Sequence, residues 1–497
     1  MPPLMKNPAL ILFLLLLNLA CQTAPEIEFE SSQSEKFRPI YHFTPPSGWM
    51  NDPNGMVFYE NNYHLFYQHF PDSTIWGPMH WGHAISDNLI EWKHQPIAIN
   101  PDTLGYIFSG SAVVDAGNSS GLGTEENPPL VAIYTYHDME SEQSGDSDYQ
   151  SQAIAYSLDQ GKTWEKYAQN PVLPNPGIRD FRDPKVRPWT LSNGQTGWLM
   201  TLAVSDRIQF YSSANLLEWK LESEFGQNQG AHGGVWECPD LIPMIAPDGS
   251  KKWILLVSIN PGGPQKGSAT QYFIGDFLEG KFSPDDQLIR WLDYGPDNYA
   301  GVTWSNVSNR HLFIGWMSNW LYAQVVPTEK WRSAMTIPRE LSLFEVDGTL
   351  LVKSAPAAEI TQLRTSSFEL DDFESNLPSE AVEISAEIEK EETFSILLEN
   401  DLGEKVLITR DNGLVSVDRS LAGNSDFHPD FAAVHSAPMS WEAKTVRLFL
   451  DASSLELFIN DGEVVLTSTL FPTEPWKKIR FSENLAKIKI HNLTEKK

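Results

Sequence analysis

Cysteine is almost missing from this chain: Cys21 and Cys238 are the two present in 497 residues. A disulfide framework is thereby excluded, and stability has to come from packing. Positive charge is also scarce. Lys and Arg number 36 against 65 Asp and Glu, a formal net charge of −29. Nucleic acid and anionic membrane surfaces both require a basic face, so both are excluded as partners. Helical periodicity is scarce as well, which leaves strands as the main element. Aromatic residues, in contrast, are plentiful, with 17 Trp, 15 Tyr and 25 Phe. An apolar ring with a polar tip suits β-rich packing and sugar stacking alike.

A long apolar run occurs at one place. After Lys6, "PALILFLLLLNLAC" is unbroken in apolar character from Ala9 to Leu17, too short to span a bilayer. This is the anatomy of a secretory signal peptide, with Met5-Lys6-Asn7 as its natural start. The run ends at Ala20-Cys21, which resembles a bacterial lipoprotein cleavage site with Cys21 as the lipidated first residue; plain secretion is the alternative. Residues 1–21 are then a leader, and the polar, acidic stretch 22–36 a flexible tether. The expected location is outside the cytoplasm, on a lipid anchor at the cell surface or in the periplasm. That anchor is the sole expected membrane contact.

Short alternating runs bounded by Gly, Pro, Asn and Asp fill the rest. "MVFYENNYHLFYQHF" reads as a hairpin turning at Glu60-Asn61-Asn62. "SDNLIEW", "SLDQGKTW" and "SSANLLEW" each set a Ser before a turn and a Trp after it, at Trp92, Trp164 and Trp219. An all-strand repeat of that size predicts four-stranded propeller blades, five of them over residues 37–345. A connector is expected over 346–363. An antiparallel β-sandwich is expected over 364–497, with Asn412-Gly413 and Asp461-Gly462 as hairpin signals. The predicted fold class is all-β: a five-bladed β-propeller followed by a C-terminal β-sandwich.

Three acidic residues have unusual settings. Asp52 lies in "GWMNDPNGMVF", where Pro53 and Asn54-Gly55 predict a turn leaving a strand. Asp183 stands between Arg182 and Pro184 in "IRDFRDPKV", and Glu237 between Trp236 and Cys238 in "GGVWECPDLIP". Taken alone, Asp52 reads as a turn residue bonding its own backbone and Asp183 as a structural ion pair. A Glu among apolar neighbours favours its protonated form, as a general acid requires. A propeller converges its inner strands on one channel, so acids on successive blades can share a pocket. Two such carboxylates are the equipment of a retaining glycosidase. His80 and His83 fall on opposite faces of a strand, and "GGPQKGSA" lacks the Lys-Ser/Thr ending of a phosphate loop. No metal or cofactor is expected.

The ordered motifs "WMNDPNG", "YHLFYQHFP", "WGPMHWGHA", "FSGSAV", "FRDPKV", "WECPDL" and "WMSNWLYAQVVPTEKWRSAMTIPREL" resemble glycoside hydrolase family 32, the β-fructofuranosidases. The resemblance implies a five-bladed propeller plus β-sandwich, and an exo-acting levanase- or exo-inulinase-like activity on fructans or sucrose. It implies Asp52 as nucleophile, Glu237 as acid/base and Asp183 as the carboxylate that binds fructose hydroxyls and stabilises the transition state. It further implies a sugar cradle of Asn51, Gln68, Trp76, Phe108, Ser109, Arg182 and Trp320. In that cradle the Asn51 and Gln68 amides donate, and Arg182 holds Asp183 ionised. Trp49, Trp81 and Trp316 are assigned to packing. Competing readings are sucrose hydrolysis or fructosyl transfer on the same fold, a non-catalytic fructan-binding lipoprotein, and an arabinan-active propeller glycosidase.

Overall fold

The computed structural model describes residues 35–389 and 393–494; Cys21 and most of the acidic tether lie outside them. Nearly all the regular structure described is strand. The exceptions are a six-residue helix, Met139–Ser144, and a 3₁₀ turn, Ala358–Leu363.

Five antiparallel sheets follow one another in the chain, and their inner strands are Gly48–Tyr59, Tyr106–Val114, Phe181–Thr190, Val235–Ile245 and Tyr299–Thr303. Each inner strand lies against the next, and the fifth lies against the first, so the sheets close a ring. This is a five-bladed propeller. Strand Trp331–Arg332, from late in the chain, pairs parallel with the first inner strand at Gly48 and Trp49. In the first three blades, the repeat Trp heads the outermost strand: Trp92 before Lys93–Ile99, Trp164 before Glu165–Lys166, Trp219 before Lys220–Phe225. Each preceding turn is built alike. Ser86, Ser157 and Ser213 accept backbone N–H bonds through Oγ, and the third residue after each takes a left-handed φ, at Leu89, Gln160 and Leu216.

The fifth blade extends past the predicted boundary. Thr349–Pro356, expected in a connector, pairs along its whole length with Arg339–Val346. Asp347-Gly348 turns the chain, with φ of 49° and 79°, and is the two-residue hairpin signal that sets this register.

Two six-stranded antiparallel sheets form the sandwich, one ordered through Leu485–Leu493, Val382–Ile388, Thr445–Asp451 and Ser454–Ile459, the other through Phe394–Glu399, Lys405–Asp411 and Leu414–Leu421. Alternating positions such as Ile396, Leu398, Val406, Ile408, Val415 and Val417 face inward and are fully buried, as the period of two requires. Buried charge joins propeller to sandwich. Arg339 pairs with Asp293 and with Glu456, and His42 bridges Asp451 and Glu456 at 2.7 and 2.9 Å.

Candidate active site

Every inner strand is irregular at one level of the ring. Two residues face one on the neighbouring strand at Asn51-Asp52, Phe108-Ser109, Asp183-Pro184, Cys238-Pro239 and Ala300-Gly301. These are β-bulges, which re-aim side chains and leave a residue out of the ladder. The residues 51–55 are therefore not a turn, as their composition predicts, but the interior of a twelve-residue strand bulged twice. Pro53, Pro184 and Pro239 have no N–H to lose from the ladder, and a bulge is where a central strand tolerates them. Asp183, Cys238 and Ala300 hold φ at +64°, +46° and +54°, a region that costs a non-glycine residue energy and that functional sites retain.

The bulges bring Asp52, Asp183 and Glu237 to one cavity of about 240 Å³, which Asn51, Gln68, Trp76, Phe108, Ser109, Arg182 and Trp320 also line. Asp52 accepts hydrogen bonds from Ser109 Oγ at 2.7 Å and Asn51 Nδ2 at 2.9 Å. Burial, then the charge of Glu237, raises its pKa, and these hydrogen bonds pull it back. Asp183 accepts from Cys238 N at 3.0 Å, and its own N–H donates to Thr135 Oγ1. Cys238 Sγ lies between the two acids, 3.4 Å from Asp52 and 3.6 Å from Asp183. Burial and both carboxylates push the thiol pKa well up, so it remains a protonated donor.

Two expectations about charge are corrected. Arg182 does not pair with Asp183. Its guanidinium contacts Asp180 at 2.6 Å and Glu237 Oε1 at 2.9 Å, and burial pushes Asp183 up to about 7 despite the cation nearby. Glu237 is not set among apolar groups either. Strand alternation sends Trp236 to the opposite face, where it is fully buried, while Glu237 meets Arg182 and the Tyr299 hydroxyl. The amides are likewise engaged: Asn51 donates to Asp52, and Gln68 donates to Ile107 O at 2.9 Å. Trp320 stacks on Trp49 at 5.7 Å and meets Trp316 at 5.0 Å. Trp49, Trp81 and Trp316 are fully buried, whereas Trp76 and Trp320 are half-buried at the rim.

Sequence reasoning missed Tyr299, Asp180, His137, Glu142 and Gln150. Asp180 had no signal, because it precedes the strand Phe181–Thr190 in a left-handed conformation that strand alternation does not anticipate. Tyr299 had none, because its strand reads as uniformly apolar core.

Further along the same inner strands, polar side chains bind one strand to the next. Lys185 Nζ donates to Thr303 O at 2.5 Å and pairs with Asp240 at 3.3 Å, and Ser111 Oγ donates to Pro184 O at 2.9 Å.

Residues 42–354 match the family model described as glycosyl hydrolases family 32 N-terminal domain, and residues 351–496 match that of the family 32 C terminal. A levanase of Bacillus subtilis is 44% identical over 511 residues, covering 98% of this chain and 73% of that protein. An extracellular exo-inulinase of Aspergillus awamori is 37% identical, covering 90% of this chain and 92% of its own. The crystal structure of exo-inulinase from A. awamori superposes with a TM-score of 0.84 over 93% of this chain and 99% of that one, at 35% identity. A fructofuranosidase of Schwanniomyces occidentalis, complexed with fructosylnystose, gives 0.83 over 93% and 98%, at 32% identity.

Proposed function

The chain belongs to glycoside hydrolase family 32, and on that premise we propose that it is a retaining β-fructosidase releasing terminal fructose from β-fructans and from sucrose. The observation that carries this reading is the cavity of about 240 Å³ that brings Asp52, Asp183 and Glu237 together on its wall. Its volume suits one sugar ring, and drug-sized ligands take pockets of roughly 300–1,000 Å³. The Lys185–Asp240–Thr303 contacts that tie the inner strands together further along support a substrate that enters by its end.

Asp52, ionised and oriented by Ser109 and Asn51, attacks the anomeric carbon of the terminal fructose while Glu237 protonates the departing oxygen. The fructosyl ester on Asp52 is then hydrolysed by water that Glu237 deprotonates. Two inversions give net retention. Asp183 accepts hydrogen bonds from ring hydroxyls, which strengthen as positive charge develops on the ring. Arg182 is taken up by Asp180 and Glu237, and burial pushes Asp183 up to about 7. A pure binding protein has no use for such a cluster.

The test is an early digest of levan or inulin. Free fructose with little fall in polymer length, and β-fructose as the first anomer seen by NMR, is the expected result. A ladder of short oligosaccharides would overturn the end-on reading, and α-fructose appearing first would overturn retention. The apolar run ending at Ala20-Cys21 further supports export with a lipid on Cys21. Mass spectrometry of the mature N-terminus decides between a diacylglyceryl cysteine and an unmodified residue.

A further inference from the structure

Between strands Leu130–His137 and Gln150–Ser157 the chain makes a detour that no reading of the fold requires. It contains the short helix Met139–Ser144, pinned by Asp138 accepting from Glu140 N and Ser141 N and by a left-handed Gly145. Glu142 from this helix and His137 from the strand before it both line the cavity. The His137 side chain is 3% exposed and that of Glu142 34%, so one is wall and the other mouth.

The hydrogen bonds settle the state of the imidazole. Phe181 N donates to Gln150 Oε1 at 2.8 Å, which fixes that amide; Gln150 Nε2 therefore donates to His137 Nδ1 at 3.1 Å. An imidazole nitrogen that accepts carries no proton, so the proton sits on Nε2. Burial, assisted by Arg182, pushes the His137 pKa down to about 4, and the ring is neutral at working pH. Its plane is held parallel to Phe108 at 4.2 Å. Nε2 is buried without an aligned hydrogen bond, although Glu142 Oε2 stands 3.1 Å away. A buried donor left without an acceptor is costly.

We propose that His137 and Glu142 form the recognition site for the leaving sugar, His137 Nε2–H donating to one hydroxyl and the Glu142 carboxylate accepting from its neighbour. The proposal rests on the β-fructosidase reading above. The terminal fructose fills the cavity beside Asp52 and Asp183, and the departing sugar must occupy the mouth, on the side of Glu237. Arg182 joins the two zones, because it contacts Glu237 and its charge acts on His137. A donor and an acceptor a hydrogen bond apart match the vicinal hydroxyls of a pyranose or furanose. Asp138, Glu140, Asp146 and Asp148 on the same detour add negative charge, so the site selects neutral sugars over phosphorylated ones.

The experiment compares sucrose with methyl β-D-fructofuranoside, whose leaving group offers no hydroxyls to the mouth. In Glu142→Ala, the ratio of kcat/KM on sucrose to that on the methyl glycoside should fall about tenfold, the cost of one charge-assisted hydrogen bond. Glu142→Gln should retain more than Glu142→Ala, and free glucose should inhibit both variants less than the wild type. An equal fall on both substrates, or an unchanged ratio, overturns the proposal. A wild-type protein that cleaves neither substrate overturns the fructosidase reading, and this proposal with it.

Discussion

Two clusters of three buried carboxylates lie in this molecule, and they are treated in opposite ways. At the junction of propeller and sandwich, burial works to raise Asp293, Asp451 and Glu456, yet all three end below their ordinary values. Arg339, the His42 imidazolium, Thr467 and backbone N–H groups surround them. In the cavity, burial and like charge act in the same direction, and Asp52 and Asp183 are both raised. The same residue types are satisfied in one place and left underpaired in the other. Underpairing costs stability, and it reserves the acids for a substrate and a proton.

The largest effect separates chemistry from folding. Asp52→Asn and Glu237→Gln should each lower kcat by about 10³-fold or more, as expected for a nucleophile or an acid/base, while the melting temperature does not fall. Turnover near wild type on sucrose and levan would remove those roles. The next is its mirror image. Arg339→Met strands Asp293 and Glu456 in a dry junction and should cost about 3–5 kcal/mol in denaturant unfolding, with kcat of the remaining folded protein unchanged.

Asp183→Asn should give a smaller effect of the opposite sign. A carboxyl at about 7 in the fold and 3.8 outside it binds more protons folded than unfolded between those values, so stability falls as pH rises through that window. Removing the charge should raise the melting temperature by about 1–3 °C at pH 7.5 and flatten the dependence from pH 4 to 7, at the expense of activity. A slope that persists in the variant would assign it to another group. The smallest effect concerns His42, raised from 6.5 to about 9 because its two carboxylate partners outweigh burial. Its stabilisation is complete below 6.5 and is lost as pH rises through about 9. Wild type should lose about 1–2 kcal/mol over that range, a step that thermal melts of His42→Gln should not show.

The sequence was most legible where a rule is local. Alternation marked the sandwich strands, the Ser-to-Trp spacing marked three blades, and the acids announced themselves by improbable neighbours. What stayed hidden depends on two strands at once. Pro53, Pro184 and Pro239 look like strand breakers, and only the facing strands Asn62–Phe70, Thr196–Val204 and Lys251–Asn260 show that the chain continues through them as bulges. Arg182 could be seen beside Asp183, but its guanidinium reaches Asp180 and Glu237 instead, and Glu237 lies on another strand. Tyr299, which reaches Glu237, and His137, which reaches the cavity, come from strands whose composition is that of core.

The closing strand of the ring bears on how the protein is made. Trp331–Arg332 completes the sheet that carries Asp52, and Tyr299, which holds Glu237, also emerges late from the ribosome. Asp52, among the first folded residues to be synthesised, therefore waits for partners near the far end of the propeller. Contacts of such long sequence separation are slow to form, and chain segments tend to fold as whole domains during synthesis. A nascent or truncated chain lacking the fifth blade would hold Asp52 and Glu237 without Tyr299 and without the strand that closes the ring.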